Sequence, residues 1–310
     1  MPAPAHRRRR PAVAVLAGLA ALLGTLSGCS SASGPAAANT PSPAAASTAV
    51  TARTSAAGRL PAPDHTVVVV MENHAADEVL GSPAAPYVNG VLAKGGAVLS
   101  GFHAETHPSQ PNYYVLFSGS TQGVTDDSCL TPGFSSAPDL AAELLAAGRT
   151  WASYNEGLPT RGSTVCTAGR YAQKHNPWFG FSNVPADSAL PLSALPHDPA
   201  RLPQVAFVVP DLCHDMHDCP VSTGDTWLRD TLGGYAAWAR THNSLLVLTF
   251  DEDDGSADNR IPTVVYGAHV APGGSTAVRY DHRDLLRTLE DLSGLRSHAG
   301  SGHDITGIWN

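Results

Sequence analysis

The chain has 310 residues, with 19 Lys and Arg against 27 Asp and Glu, for a formal net charge of −8. That balance argues against nonspecific nucleic-acid binding, which needs a basic face. It still admits an anionic substrate, because a bound cation and a few local basic groups reverse the field inside a cleft.

Residues 1–28 read as a signal peptide. Arg7, Arg8, Arg9 and Arg10 give a basic start, residues 13–23 are apolar, and Leu26-Ser27-Gly28 precede Cys29. The apolar run is too short to cross a bilayer, which takes about 20 residues. The string at 26–29 resembles the lipobox of bacterial lipoproteins. That resemblance implies lipidation at Cys29 and an outward-facing membrane anchor, against an ordinary cleaved signal and a secreted product. Losing the four arginines takes the charge to about −12. Residues 29–63 are Ala, Ser, Thr, Pro and Gly with almost no large apolar side chain. Such a segment buries too little surface to offset its chain entropy and is expected to be a disordered tether. Residues 64–310 then form one large domain.

Within it, residues 66–71 are a continuous β-branched run, as expected of a strand buried on both faces. A helix is predicted over 85–94, a strand over 97–102, a helix from Pro111 to Ser118 and another over 139–147. Strands follow over 205–209, 245–250 and 263–266, with an amphipathic helix over 226–240 and a closing helix over 281–292. The alternation predicts an α/β fold, a mostly parallel central sheet with helices on both faces. In such sheets ligands bind outside the carboxyl ends of the strands.

Three predicted strands end in oxygen and imidazole donors. Glu72-Asn73-His74 follows the first, Asp251-Glu252-Asp253-Asp254 the one at 245–250, and the one at 205–209 runs into Asp211, His214, Asp215, His217 and Asp218. A hard divalent cation wants such a shell. Glu72, Asn73, Asp251, Glu252, Asp215 and Asp218 are therefore candidate ligands. Oxygen donors favour magnesium, calcium or manganese, while the histidines keep zinc or iron open.

Cys129, Cys166, Cys213 and Cys219 are an even set in an exported chain, expected as Cys129–Cys166 and Cys213–Cys219. The alternative for the second pair is a zinc site with His214 and His217.

Ser109 precedes a proline-started helix in His107-Pro108-Ser109-Gln110-Pro111-Asn112. It reads as an N-cap, or as a nucleophile beside the free amides of a helix start, where a phosphate is held well. Metal contact is one way to activate such a hydroxyl. MENH at 71–74, THPSQPNYYVLFSG at 106–119, KHNPW at 174–178, DMHDC at 215–219 and FDEDDG at 250–255 occur in this order. Together they resemble the phosphoesterase family of bacterial acid phosphatases and phospholipases C, within the alkaline phosphatase superfamily.

The resemblance implies a phosphoserine intermediate on Ser109, which also touches a metal held by Glu72, Asn73, Asp251 and Glu252. It implies phosphate or leaving-group contacts by Lys174 and His175. His107 is either a general acid or an orienter of its loop. Asn112 and His217 are further substrate-binding candidates, and Glu156 supports the site from behind. Asp127 stands where relatives carry an Asn on a phosphoryl oxygen, with Asp126 as the alternative equivalent. The expected substrate is a small phosphomonoester or a phosphoinositide headgroup, the latter on resemblance alone. A phospholipase C-type phosphodiesterase and a noncatalytic phospholigand-binding lipoprotein are the alternatives.

Overall fold

The computed structural model describes residues 60–256, 258–296 and 302–310. The expected leader, Cys29 and most of the expected tether lie outside the described residues.

The first strand, β1 (His65–Met71), is buried from Thr66 onward. The remaining main-sheet strands are β2 (Ala97–Leu99), β3 (Trp151–Asn155), β6 (Ala189–Pro191), β7 (Val205–Val209), β8 (Ser244–Phe250), β9 (Val264–Gly267) and β10 (Gly274–Thr276). A small hairpin of β4 (Thr167–Ala168) and β5 (Tyr171–Ala172) stands apart. The eight strands run in the order β10-β2-β9-β8-β1-β7-β3-β6. From β8 through β6 they are parallel, and β9 is antiparallel to both neighbours. Every residue of β3, β7 and β8 is buried, so the sheet is covered on both faces as the apolar runs require.

The helices are α1 (Ala76–Val79), α2 (Ser109–Ser118), α3 (Leu140–Ala146), α4 (Val221–Ala239) and α5 (His282–Leu292). Asp139 caps α3 by accepting from the Ala142 N–H, and Asp281 caps α5 through a capping box with Asp284. The helix expected over 85–94 is a π-helical segment, Val88–Ala93. Two buried backbone N–H groups at its start, those of Tyr87 and Val88, donate to the Asp225 carboxylate of α4 at 3.0 and 2.8 Å. The α4 helix starts at Val221, ahead of the expected 226. At Gly224 a Cβ would stand 2.5 Å from the Met216 side chain and 2.7 Å from the His214 carbonyl, so glycine lets the loop after β7 pack against the helix.

Three strands of the main sheet, β3, β6 and β10, were not expected. β3 lies between β7 and β6, and its Trp-Ala-Ser-Tyr-Asn sequence has neither an apolar run nor a clean alternation. Ser153 and Asn155 are buried there because the Asn155 amide donates to the Ser153 hydroxyl and the Leu190 carbonyl, 3.0 Å each. Its Trp151 joins Phe117, Trp178 and Phe207 in a cluster of tilted and edge-on rings with centroids 5.5–6.0 Å apart. This cluster grips the carboxyl end of α2 and so fixes where its amino end, Ser109, points.

The described chain enters at the amino-terminal edge of the sheet. Asn243 donates to the Ala62 carbonyl at 2.9 Å, and the Asp64 N–H donates to the Asn243 carbonyl at 2.7 Å. Asn243 immediately precedes β8. The donor clusters that follow β1, β7 and β8 stand at the opposite, carboxyl-terminal edge.

Candidate active site

At that edge the Ser109 hydroxyl lies 3.0 Å from Glu72 Oε2, 3.1 Å from Glu252 Oε1 and 3.4 Å from Asn73 Oδ1. Three loops thus converge on one oxygen. The turn after β1 supplies Glu72 and Asn73, with Asn73 in the left-handed region at φ 51°, which Asn tolerates better than most residues. Its N–H donates to Asp251 Oδ1 at 3.1 Å. Ser109 is the first residue of α2 and follows a cis His107–Pro108 bond.

Asn112 ties this corner together. It is fully buried, its carbonyl accepting from the Glu105 and Thr106 N–H groups and its amide donating to the Thr106 carbonyl at 2.8 Å and Glu252 Oε2 at 3.4 Å. The expectation that Asn112 meets substrate is therefore corrected. Its polar atoms are spent on the loop, and it positions Ser109.

Glu72, Asp251, Glu252 and Asp215 are all buried. Burial, then the charge of Asp251, push Glu72 well above the usual carboxylate range. Burial, then Glu252, push Asp251 up to about 8. Burial is also the main cause for Glu252, raised to about 7, and for Asp215, raised to about 9. Asp251 Oδ2 is buried with no hydrogen-bond partner. Crowded, buried carboxylates with an unused oxygen are costly on their own and fit a divalent cation. Glu72, Asn73, Ser109, Asp251 and Glu252 are the residues that would hold it.

His175 is buried and stacked on Tyr113, with ring centroids 5.1 Å apart. Its Nε2 lies 3.0 Å from Glu72 Oε1 and its Nδ1 3.5 Å from Asp215 Oδ2. Burial, then the charges of Lys174 and His217, hold it well below the usual histidine range, so it stays neutral. The Tyr113 hydroxyl donates to Glu72 Oε1 at 2.5 Å. Sequence reasoning passed over Tyr113, yet its position one turn after Ser109 places both on one helix face. At the mouth, His107 is partly exposed, with Nδ1 2.7 Å from Glu252 Oε2 and Nε2 3.4 Å from Asp253 Oδ1.

Asp127, not Asp126, turns to the serine. Its Oδ1 accepts from the Gln110 N–H at 2.9 Å and its Oδ2 from Lys174 Nζ at 2.9 Å. Asp126 accepts from the Ser128 N–H in its own turn.

Two expected site residues are not gathered in. His217 and Asp218 pair with each other at 2.8 Å, the Asp218 side chain half-exposed, and neither contacts Ser109, Glu72, Asp251 or Glu252. Asp218 is therefore not brought to the other candidate ligands, while the charge of His217 still reaches His175 at the site. The disulfides Cys129–Cys166 and Cys213–Cys219 form, with Cα separations of 5.7 and 4.7 Å, so the zinc alternative loses both sulfurs. Glu156 instead meets His214 Nδ1 at 2.9 Å, and with Asp211 these three converge within 4.8 Å.

Comparison with known proteins agrees with this geometry. A model described as the phosphoesterase family matches residues 82–296. The chain is 48% identical over 258 residues to a phosphatidylinositol-3-phosphatase of Mycobacterium tuberculosis, covering 82% of this chain and 85% of that protein. It is 31% identical to an acid phosphatase of Aspergillus niger over 67% of this chain, and spans 54% of that longer protein. Among solved structures, an alkaline phosphatase superfamily protein from Vibrio parahaemolyticus aligns over 80% of this chain and 71% of its own, with a TM-score of 0.56 at 14% identity. A phosphonate monoester hydrolase from Silicibacter pomeroyi aligns over 78% and 76%, with a TM-score of 0.55 at 12% identity. At such identities the structural likeness speaks for the fold.

Proposed function

The chain belongs to the phosphoesterase family, and from that premise we propose that it is a metal-dependent phosphomonoesterase working through a phosphoserine on Ser109. The observation that carries the reading is the Ser109 hydroxyl, at the amino end of α2, within 3.1 Å of both Glu72 and Glu252. A divalent cation bound by the ligand set would screen the phosphoryl charge and lower the pKa of the serine hydroxyl.

The residues supply the rest. Ser109 Oγ attacks phosphorus while the bond to the leaving oxygen breaks. Its proton passes to Glu252, whose Oε1 lies 3.1 Å from the Ser109 hydroxyl. Glu252 Oε2 lies 2.7 Å from His107 Nδ1, and His107 stands at the mouth where the leaving oxygen emerges. A proton from His107 completes the alcohol, and the proton left on Glu252 replenishes His107. Water then hydrolyses the phosphoserine by the reverse sequence. Lys174 holds a phosphoryl oxygen, and His175 and Tyr113 keep Glu72 in place.

The 48% identity to a phosphatidylinositol-3-phosphatase supports an inositol-lipid headgroup among the substrates. Two disulfides support an oxidising compartment. Export by residues 1–28 with lipidation at Cys29 is the matching proposal for the upstream segment. The test is phosphate release from an aryl phosphate and its bis-ester, with and without chelator. Chelator-sensitive turnover of the monoester is expected. Turnover of the bis-ester alone would reassign the chain as a phosphodiesterase.

A further inference from the structure

We propose that Asp127 is an internal competitor for the phosphoryl group. In the resting enzyme it occupies the donors that a substrate phosphate needs beside Ser109, and it swings aside when substrate binds. This rests on the phosphatase reading above.

A phosphoryl group attacked by Ser109 needs donors next to that oxygen. One backbone donor beside it is the Gln110 N–H, among the first amides of α2, which carry no intrahelical partner. A cationic side chain whose charge reaches Glu72 and Glu252 beside Ser109 is Lys174. Both are taken by one carboxylate. Asp127 Oδ1 accepts from Gln110 N at 2.9 Å, and Asp127 Oδ2 accepts from Lys174 Nζ at 2.9 Å. A carboxylate bridging a helix-start amide and an ammonium is held as a phosphate would be held.

The loop carrying Asp127 is fixed in place. The Gln110 carboxamide, its nitrogen placed by its partners, donates to the Asp126 carbonyl at 3.0 Å and the Ser128 carbonyl at 2.9 Å. Two residues beyond Asp127, Cys129 is tied to Cys166. The backbone therefore stays while the side chain, about one-third exposed, has solvent to rotate into. The charge of Asp127 also reaches the reaction centre, adding to the burial that raises Glu252.

A displaceable competitor has a signature that a fixed negative charge lacks. Competition for the donors weakens every anion by one factor, whatever its charge. A fixed carboxylate repels a dianion more than a monoanion.

The experiment is calorimetric titration of wild type, Asp127→Asn and Asp127→Ala with inorganic phosphate and with dimethyl phosphate, a monoanion. Binding is read without turnover, so failure of the phosphatase reading would show separately, as no phosphate release by wild type from any monoester. Both variants are expected to bind both anions more tightly, by about tenfold and by the same factor, as loss of one charge-assisted contact implies. Unchanged or weaker binding in both variants would overturn the proposal. So would a gain confined to inorganic phosphate, which would mean a carboxylate that repels without being displaced.

Discussion

Glu105 and His282 are 177 residues apart in sequence, yet Glu105 Oε2 lies 2.7 Å from His282 Nδ1. The other ring nitrogen, Nε2, is 2.9 Å from the Phe250 carbonyl. Glu105 leads into the Ser109 loop and Phe250 directly precedes Asp251, so one buried imidazole joins two of the loops that build the site. Burial alone would lower the His282 pKa, but the charge and hydrogen bond of Glu105 and the Phe250 carbonyl outweigh it and raise it above 6.5. A raised folded value means the stabilisation is complete below 6.5 and is lost as pH rises through that higher value. Glu105→Gln should cost on the order of 2 kcal/mol at pH 6 and progressively less at alkaline pH. Thermal melts across pH check this. A deficit of constant size would mean that His282 does not titrate over this range.

Ser109→Ala removes a single buried oxygen and should leave the fold intact while lowering turnover by roughly 10⁴-fold or more, as expected when a covalent nucleophile is lost. Phosphate release and a melting curve on the same sample decide it. Wild-type turnover in the variant would move the nucleophile elsewhere.

Chelation should lower the melting temperature, since four buried carboxylates then face one another without a countercharge. Adding back magnesium, calcium, manganese or zinc in turn should raise it for the metal that fits. The joint change Asp251→Asn and Glu252→Gln should abolish both the metal-induced rise and turnover. A melting temperature indifferent to chelator and to added metal would count against the ligand set.

The two disulfides should not contribute equally. Cys129–Cys166 closes a 37-residue separation and Cys213–Cys219 one of 6. Loop-closure entropy gives about 4 kcal/mol for the first and about 2 kcal/mol for the second. Paired Cys→Ser replacements followed by denaturant titration test the order. Equal losses would show that residual structure, rather than chain entropy, dominates the unfolded state.

The sheet was readable where its strands are uninterrupted apolar runs, as in β1, β7 and β8, because burial on both faces leaves little choice of residue. β3 was not, since the buried Asn155 amide finds its acceptors in Ser153 and in the Leu190 carbonyl of the neighbouring strand, which only the fold brings together. Glu72, Asp251 and Ser109 were legible as donors at strand ends and at a helix start. The positioning roles of Asn112 and His282 were not. What makes each matter is a partner in another loop, and sequence spacing carries no trace of it. Asp218 stands outside the ligand set for the opposite reason. Its residue type suits a site, but within the Cys213–Cys219 loop it pairs with His217.

The chain enters the sheet beside Asn243, at the pole opposite Ser109. Residues 60–64 are therefore held away from the catalytic mouth, so changing them leaves the Ser109 loop and the substrate's approach to it untouched.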